Sequence, residues 1–268
     1  MKNTHFLHQY GPWALVTGAS SGIGAEFCRQ LAERGLNIVM AARRMERMEI
    51  LAQEITKKYR IQTKIIPVDL AKEDFLSGLM PQINGLEIGI LVNNAGFGIA
   101  GGFLQHEINR ELSQFYVNCR APLILTHTFA QNMVKREKGG IIFVSSVLGY
   151  IPTPLFANYA ASKAYDLFMG EALYHELKPY GISVLTLSPG VTATEFGSIA
   201  GTKSRMPHMS APSVVRAALQ NLGKKPAAVP GLFNKLSVQL FRLLPRRLFI
   251  AVMGASMKSR IRPPLNTP

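Results

Sequence analysis

The sequence predicts an α/β fold, a doubly wound parallel sheet of seven strands with helices on both faces. Apolar strand-like runs alternate with helical stretches at intervals of about 25 to 30 residues, which is the pattern of repeated βαβ units. The runs are almost continuously apolar, as expected for strands that are covered on both faces of a sheet. With 268 residues, of which 47% are hydrophobic, the chain is long enough for a sizeable core in one large domain.

The predicted elements follow in order from the N-terminus. A first strand, "WALVTG", leads through "ASSGIG" into an amphipathic helix, "AEFCRQLAERG", and Gly35 stands where a glycine commonly ends a helix. The strand "LNIVMAA" follows, then a charged helix over 45–58, the strand "TKIIPVDL" and a helix around 72–84. "IGILVNNAG" is the next strand, and it precedes a long helix that contains "FYVNCRAPLILTHTFAQNMV". The strand "GIIFVSS", the helix "NYAASKAY" and the strand "ISVLTLSPG" complete the series.

A glycine-rich turn joins the first strand to the first amphipathic helix. Thr17, Gly18, Gly22 and Gly24 form the pattern T-G-x-x-x-G-x-G, one residue longer than the common G-x-G-x-x-G. Glycines at such a turn let the backbone approach a pyrophosphate, and the helix N-terminus supplies amide donors and positive dipole charge. The pattern predicts a dinucleotide cofactor; an ordinary glycine-rich turn is the alternative.

The end of the second strand indicates which cofactor the chain uses. An acid there would bond the adenosine ribose hydroxyl of NAD, whereas an arginine accommodates the 2′-phosphate of NADP. The sequence reads Ala41, Ala42, Arg43, Arg44, with no acid. Arg43 is the candidate for the phosphate contact, with Arg44 as its helper, and a pair of solvent-exposed arginines is the alternative. The sequence favours NADP(H).

A tyrosine and a lysine stand one helical turn apart in "NYAASKAY". Tyr159 and Lys163 are at i and i+4, so the ammonium can lie close to the phenol. A nearby cation lowers a tyrosine pKa, which suits acid and base chemistry near neutral pH. Tyr174 and Lys178 have the same spacing, so spacing alone does not choose between the two pairs.

Together, these motifs resemble the short-chain dehydrogenase/reductase family. The resemblance extends over residues 12–195 and includes T-G-x-x-x-G-I-G, "VDL" at Asp69, "NNAG" at 93–96, Asn118, Ser146 and Y-x-x-x-K, all in the family's order. It implies a Rossmann-like sheet and an oxidoreductase. "SSVLGYIP" and the C-terminal segment look like reductases of the hydroxysteroid and 3-oxoacyl type.

The family pattern also separates the two tyrosine–lysine pairs. In that family the catalytic serine stands 13 residues before the tyrosine, at the end of the preceding strand. Ser146 stands 13 before Tyr159, whereas Ala161 occupies the same position before Tyr174. The resemblance therefore selects Tyr159, and Tyr174 is expected to be an ordinary helix residue.

The resemblance implies a role for each of four residues. Tyr159 would give a proton to a carbonyl oxygen as hydride arrives from NADPH. Lys163 would hold the nicotinamide ribose hydroxyls and lower the Tyr159 pKa. Ser146 would hydrogen-bond the oxygen on which negative charge develops. Asn118 would position a water that links Lys163 to bulk solvent.

The remaining cofactor contacts are likewise implied by the resemblance. Asp69 would contact the adenine, and Asn94 with Gly96 would border the adenosine ribose. Pro189 and Gly190 would pass close to the nicotinamide. Thr194 would meet the carboxamide of the nicotinamide. The full set of predicted contacts is Gly18, Ser20, Ser21, Gly22, Ile23, Gly24, Arg43, Arg44, Asp69, Leu70, Asn94, Ala95, Gly96, Tyr159, Lys163, Pro189, Gly190, Thr192 and Thr194.

The segments expected to border the nicotinamide are apolar. They are "FGIAGGF" (97–103), "LGYIPTPLF" (148–156) and "FGSIAG" (196–201). An apolar pocket with few polar anchors suits a hydrophobic ketone or aldehyde, or the corresponding alcohol. Packing of these residues in the core is the alternative.

The chain is expected to form one domain, 1–268. Residues 12–195 would be the dinucleotide-binding and catalytic core, and 196–268 the substrate lid with basic amphipathic C-terminal helices. Residues 197–209 correspond to the family's mobile lid, in which three side chains could meet the outer end of the substrate. These are Lys203, Arg205 and Met206.

Charge is concentrated in the C-terminal quarter of the chain. Residues 1–195 hold 18 Lys and Arg against 16 Asp and Glu, while 196–268 hold 12 Lys and Arg and no acid. In "LFNKLSVQLFRLLPRR" the polar residues form a narrow stripe on an otherwise apolar helix: Lys235, Gln239, Arg242 and Arg246. The segment can lie on an anionic membrane surface, pack on the body or in an oligomer, or dock an acidic acyl carrier.

The remaining features limit location and partners. No apolar run is long enough for a signal peptide or a spanning helix, so a cytoplasmic protein is expected, with a peripheral membrane position as a possibility. Cys28 and Cys119 lack metal-ligand spacing and are interpreted as reduced core thiols, and no metal is expected. No nucleic-acid-binding motif accompanies the basic residues. A homodimer or homotetramer is expected from the resemblance alone.

The sequence thus predicts an NADPH-dependent carbonyl reductase acting on a hydrophobic ketone or aldehyde. Its residues would be Ser146, Tyr159 and Lys163, supported by Asn118. The alternatives are a 3-oxoacyl-CoA or 3-oxoacyl carrier protein reductase, and a non-catalytic NADP(H)-binding protein at a membrane.

Overall fold

The computed structural model describes residues 4–203, 208–243 and 245–261, and within them the predicted fold class is confirmed. The sheet has seven strands in the order β3-β2-β1-β4-β5-β6-β7, and each neighbouring pair is parallel. The strands are β1 (Trp13–Thr17), β2 (Asn37–Ala42), β3 (Thr63–Pro67), β4 (Ile88–Asn93), β5 (Gly139–Val144), β6 (Ile182–Leu187) and β7 (Ala227–Ala228). The seventh strand lies in the C-terminal quarter, so the sheet continues past the region in which the motifs were found.

Helices follow the strands as the sequence pattern predicts, with two differences. The predicted long helix is interrupted by a π-helical turn, Tyr116–Arg120, and the helix predicted around 72–84 is a shorter helix followed by a 3₁₀ turn, Met80–Ile83. The helices are α1 (Thr4–Tyr10), α2 (Gly22–Glu33), α3 (Met45–Tyr59), α4 (Phe75–Leu79), α5 (Ile108–Phe115), α6 (Ala121–Lys135), α7 (Ala157–Leu177), α8 (Phe196–Ile199), α9 (Ala211–Asn221), α10 (Leu232–Leu243) and α11 (Arg246–Lys258).

Strand β1 shows why the strands are continuously apolar. Its side chains alternate between the two faces of the sheet, and both faces are covered. Val16 packs in one apolar cluster with Phe27 of α2, and Leu15 packs in the other with Phe129 of α6. All four side chains are almost completely buried.

The position of β1 also explains where a ligand would bind. It pairs with β2 on one side and β4 on the other, so the chain winds outward in opposite directions from this point. Such a switch point opens a crevice at the carboxyl ends of the strands. The predicted site residues follow strands β1 to β6, and the topology therefore gathers them at the carboxyl ends of the strands.

The last helix packs against the apolar loop after β5. Phe249, Met253 and Met257 recur every fourth residue along α11 and are buried. Phe249 and Met253 pack with Ile151, and Met257 packs with Tyr159. Helix α11 thus covers the predicted substrate side of the site. None of the described helices is long and apolar enough to span a membrane.

Candidate active site

The glycine-rich turn has the close packing that a pyrophosphate site requires. Gly22 begins α2 with φ of 56°, a left-handed conformation that favours glycine. A Cβ on Gly24 would lie only 2.3 Å from the carbonyl oxygen of Gly18, so α2 could not approach β1 this closely with any larger residue. The turn exposes backbone N–H groups at the N-terminus of a 12-residue helix, and the residues present therefore fit a dinucleotide phosphate.

Thr17 and Asn94 hold this turn against the end of β4. The Thr17 hydroxyl accepts hydrogen bonds from the backbone N–H groups of Asn94 and Ala95, both at 3.0 Å. Asn94 Nδ2 donates to the carbonyl oxygens of Thr17 at 2.8 Å and Gly18 at 3.3 Å. The Asn94 side chain therefore ties two loops together, and Thr17 is a site residue that the contact prediction omitted although the motif contained it.

The two predicted arginines have different surroundings. Arg43 is exposed and forms no side-chain hydrogen bond or ion pair with the described residues, so its guanidinium is available to a phosphate. Arg44 reaches over the turn, where its Nε lies 3.2 Å from Ser20 Oγ and its Nη2 lies 2.8 Å from Ser21 Oγ. Ser20 and Ser21 are thus held by Arg44.

Arg44 also bridges the crevice to Glu195, which sequence reasoning missed. Its Nη1 lies 2.8 Å from Glu195 Oε2, and Arg47 Nη1 lies 2.5 Å from Glu195 Oε1. Hydrogen bonds from Arg47 and Arg44 lower the pKa of Glu195 to about 2. Arg44 and Glu195 are 151 positions apart in the chain, and the sequence pattern does not indicate which residues pair over such a separation.

Loop residues after β3 and β6 complete the cofactor side. Asp69 Oδ1 accepts a hydrogen bond from the backbone of Ala71 at 3.1 Å, and the Leu70 side chain is buried in one of the core clusters. A Cβ on Gly22 would lie 3.0 Å from Thr194 Cγ2, which places Thr194 directly over the glycine-rich turn. Ile23 of the same turn packs against the core.

The loop after β6 is held by α10. Pro189 accepts a hydrogen bond from the backbone N–H of Val147 at 3.1 Å, and Thr192 Oγ1 donates to the Gly190 carbonyl at 3.0 Å. A Cβ on Gly190 would lie 2.5 Å from Asn234 Nδ2. Asn234 therefore packs directly on the loop that is expected to pass the nicotinamide.

Ser146, Tyr159 and Lys163 come together at the carboxyl end of β5. Ser146 caps a 3₁₀ turn, and its Oγ accepts a hydrogen bond from Leu148 N at 3.2 Å. Burial raises the Tyr159 pKa; Lys163 and the hydrogen bond with Ser146 lower it, and Asp166 raises it further. Lys163 therefore lowers the Tyr159 pKa as expected, but in the protein without cofactor burial outweighs this effect.

Aromatic side chains enclose the Tyr159 ring. Phe156 stacks on it with ring centroids 4.5 Å apart, and the ring centroid of Phe196, at the start of α8, lies 5.2 Å away. The three apolar segments predicted to border the nicotinamide meet at this point. Ala100 N donates to the Ala200 carbonyl at 3.1 Å, which joins the first segment to the third. Gly101 N donates to the carbonyl of residue 155 at 2.9 Å, which joins the first to the second.

The Lys163 ammonium is buried beside Gly96 and Asn118. Its Nζ donates to the Val144 carbonyl at 2.8 Å and to Asp166 Oδ2 at 2.9 Å. A Cβ on Gly96 would lie 3.3 Å from Lys163 Nζ and 3.2 Å from Asn118 Oδ1. Any side chain at residue 96 would thus crowd the ammonium, which explains the glycine.

Asn118 lies in the π-helical turn and is completely buried. Its Nδ2 donates to the Phe97 carbonyl at 2.9 Å and to Ser162 Oγ at 3.0 Å, and its Oδ1 accepts from Phe97 N at 3.1 Å. Both amide hydrogens are used within the protein, so the side chain fixes the segment after Gly96. Its expected role in positioning a water stays a prediction.

The other predicted residues lie apart from this cluster. Lys178 Nζ lies 5.8 Å from the Tyr174 ring centroid at the far end of α7, away from Ser146. Lys203 N donates a hydrogen bond to the carbonyl oxygen of Arg260, two residues beyond the end of α11, at 2.8 Å. Three predictions concern groups outside the described part of the chain, namely Arg205, Met206 and the side chain of Arg242.

Comparisons with known proteins identify the family of the chain. The family model described as short chain dehydrogenase matches residues 12–204. A very-long-chain 3-oxoacyl-CoA reductase of Mus musculus is 30% identical over 257 residues, which cover 94% of this chain and 82% of that protein.

Two solved structures are also similar. One, from work on 7β-hydroxysteroid dehydrogenase stereoselectivity, has a TM-score of 0.86 and 27% identity, covering 92% of this chain and 98% of the other. A short-chain dehydrogenase from Sphingobium yanoikuyae in complex with NADPH has a TM-score of 0.78 and 31% identity, covering 87% of this chain and 95% of the other. The chain therefore belongs to the short-chain dehydrogenase/reductase family and is an oxidoreductase whose family binds a nicotinamide cofactor.

Proposed function

We propose that the chain is an NADPH-dependent carbonyl reductase acting on a hydrophobic ketone or aldehyde. The observation that carries the proposal is the meeting of two hydroxyls, Ser146 and Tyr159, with the Lys163 ammonium beneath an apolar cover. A non-catalytic binding protein has no need of these groups in one place. Family membership and the NADPH complex of a relative support the same reading.

The chemistry assigns one task to each group. Bound NADPH supplies the hydride that reaches the carbonyl carbon. Ser146 Oγ and Tyr159 Oη hydrogen-bond to the carbonyl oxygen, and Tyr159 gives that oxygen its proton, so the product is an alcohol. Lys163 stabilises the phenolate that remains on Tyr159 and presents its ammonium to the ribose hydroxyls.

Arg43 is proposed to select NADPH over NADH, because it is exposed at the end of β2 and has no competing partner among the described side chains. Arg43→Asp is expected to weaken NADPH binding at least about tenfold while leaving NADH binding within about twofold, since only NADPH carries the 2′-phosphate. Titration of both cofactors measures the effect, with Lys225→Asp, an equal charge change at an exposed site beside β7, as the control. Equal losses for both cofactors would count against the assignment.

The substrate is proposed to carry its carbonyl on a large apolar body. Phe156, Phe196 and Met257 surround Tyr159, and the described residues of this cluster offer few polar anchors. The named relatives fit this class, because a long 3-oxoacyl chain and a hydroxysteroid both place an oxygen on an apolar skeleton.

A 3-oxoacyl thioester is the second candidate within the same chemistry. Its CoA phosphates, or an acidic carrier protein, would meet the basic C-terminal quarter. Added salt would then raise KM for the thioester strongly and leave KM for an uncharged ketone unchanged. Comparing the two substrates at low and high salt therefore decides between the candidates.

We further propose that α10 and α11 hold the enzyme on an anionic membrane surface. Among residues 232–240 of α10, Val238 alone is buried. The other apolar side chains of this stretch point outward. The exposed apolar side chains are Leu232, Phe233, Leu236 and Leu240 on α10 with Leu248 and Val252 on α11, each more than half exposed. The exposed cations of the same helices are Lys235, Arg246, Arg247 and Lys258. Exposed apolar side chains flanked by cations suit an anionic lipid interface.

Leu236→Glu tests this surface. It removes an apolar group that is 61% exposed and adds a charge that anionic lipid repels, so binding to vesicles of mixed phosphatidylserine and phosphatidylcholine is expected to fall at least about tenfold. Ile50→Glu is the matched control, because Ile50 is 68% exposed on α3, outside this surface. Sedimentation with vesicles measures binding. Absence of wild-type binding, or a change of solution mass with Leu236→Glu instead, would favour an oligomer contact.

A further inference from the structure

The buried partner of Lys163 is an acid that neither the motifs nor the family resemblance assigned. Asp166 stands one turn after Lys163 on α7, and its Oδ2 lies 2.9 Å from Lys163 Nζ. The two residues are 2% and 4% exposed. The other carboxylate oxygen, Oδ1, is buried and has no hydrogen-bond partner among the described residues. An acid in this position cannot be explained as a solvated surface residue.

The contacts of Lys163 show what the acid does to the ammonium. A lysine has three N–H donors, and two of them are used by Asp166 and the Val144 carbonyl. The ammonium is thereby fixed on the β5 side of the crevice, next to Gly96. Its third donor has no partner among the described residues and is available to a ribose hydroxyl. Asp166 therefore sets the position of the ammonium.

Asp166 also changes the electrostatics around Tyr159. Burial raises the pKa of Asp166 to about 6, although Lys163 lowers it. Burial lowers the pKa of Lys163, but Asp166 and Tyr159 raise it more, and the net direction is upward. A lysine that is paired with an acid lowers the pKa of the nearby phenol less than an unpaired lysine does, because the two opposite charges largely cancel at a distance.

Two further ionisable groups face this pair. Cys119, in the π-helical turn, has its pKa raised to about 12 by burial and by Asp166, so it stays a neutral thiol. Tyr165 on α7 also has a raised pKa, from burial, Cys119 and Asp166. Both are neutral at ordinary pH. The charge near Tyr159 is therefore set by Lys163 and Asp166.

We infer that Asp166 is a positioning residue of the proposed reductase: it fixes the Lys163 ammonium at β5 and offsets its charge, which keeps Tyr159 in its protonated, proton-donating form. The inference rests on the proposed function for its catalytic meaning. If Asp166 acts in this way, the enzyme favours carbonyl reduction, because reduction needs the protonated phenol of Tyr159 whereas alcohol oxidation needs its phenolate.

Asp166→Asn removes the charge and keeps the shape. We expect the alkaline limb of kcat/KM for carbonyl reduction to move to lower pH by about one unit, and the rise of alcohol oxidation with pH to move equally. The reason is that loss of the Asp166 charge removes its repulsion of the Tyr159 phenolate and so lowers the Tyr159 pKa. Asp166→Glu retains the charge and is expected to restore the wild-type profile in part. A purely structural role would lower kcat or stability in Asp166→Asn without moving either limb, and that result would overturn the inference.

A measurement without turnover separates this inference from the proposed function. The ultraviolet phenolate spectrum of the wild type minus that of Tyr159→Phe, recorded against pH without cofactor, reports the titration of Tyr159 alone. The midpoint is expected above that of an ordinary tyrosine, and lower in Asp166→Asn than in the wild type. Should Asp166→Asn not fold, a wild-type midpoint below the ordinary range would still contradict the inference. Failure of every carbonyl substrate, with these midpoints as expected, would reject the proposed function alone.

Discussion

Replacing Tyr159 by phenylalanine is expected to lower kcat for carbonyl reduction on the order of 10²- to 10⁴-fold, the usual contribution of a positioned general acid. The new ring keeps the stacking with Phe156 and the contact with Phe196, so the fold and the cofactor crevice should be unchanged. NADPH affinity is therefore expected to stay within about threefold of wild type, because the phenol is one of many cofactor contacts. Steady-state kinetics and NADPH titration measure the two quantities.

The chain contains its own control for this substitution. Tyr174→Phe makes the same chemical change in the second tyrosine–lysine pair, at the far end of α7. It should leave kcat unchanged. Activity of Tyr159→Phe close to that of wild type would refute the assignment of the general acid, and equal losses in the two variants would point to a general effect on α7.

Gly24→Ala is expected to damage the cofactor site and the fold together. The added methyl group would lie 2.3 Å from the Gly18 carbonyl oxygen and 2.5 Å from Asn94 Nδ2, so α2 must move away from the turn. Overpacking of this kind costs about 1–3 kcal/mol in the free energy of unfolding. NADPH affinity should fall at least about tenfold, because the backbone donors of the turn move with the helix.

Gly78→Ala controls for the loss of a glycine. Gly78 lies in α4, and a Cβ there would meet nothing within 4 Å. It should leave NADPH affinity unchanged and leave stability equal or slightly higher, since alanine favours a helix over glycine by up to about 1 kcal/mol. Denaturant unfolding and cofactor titration of both variants measure the difference. Wild-type affinity in Gly24→Ala would show that the turn does not hold the cofactor.

The sheet could be predicted because its signal is local. Strands such as β1 are apolar on both faces, and the glycine pattern lies where a strand meets a helix, so both can be read without knowing the fold. Tyr159 and Ser146 were found through the family resemblance, which fixes their separation in sequence. The π-helical turn at Asn118 has no comparable signal, because the side chain is held there by Phe97 and Ser162, which only the tertiary structure brings near.

Two other features show where sequence reasoning stops. The polar stripe of α10 was visible, but which face the body covers depends on packing, and the outward direction of the apolar face was not predicted. Asp166 had a readable signal, an acid one turn from Lys163 in an apolar helix. That signal was missed because the motif ends at the lysine, and the same acid opposes the pKa lowering that the motif alone predicts for Tyr159.

The most direct test of the central claim is NADPH and NADH oxidation by the purified chain against a panel of carbonyl compounds. The panel includes long-chain aldehydes, steroid ketones, diketones and 3-oxoacyl thioesters. Turnover that prefers NADPH and is confined to one apolar class of carbonyl is the predicted result. Binding of both cofactors with no turnover of any compound would contradict the reductase assignment and favour a cofactor-binding protein at the membrane.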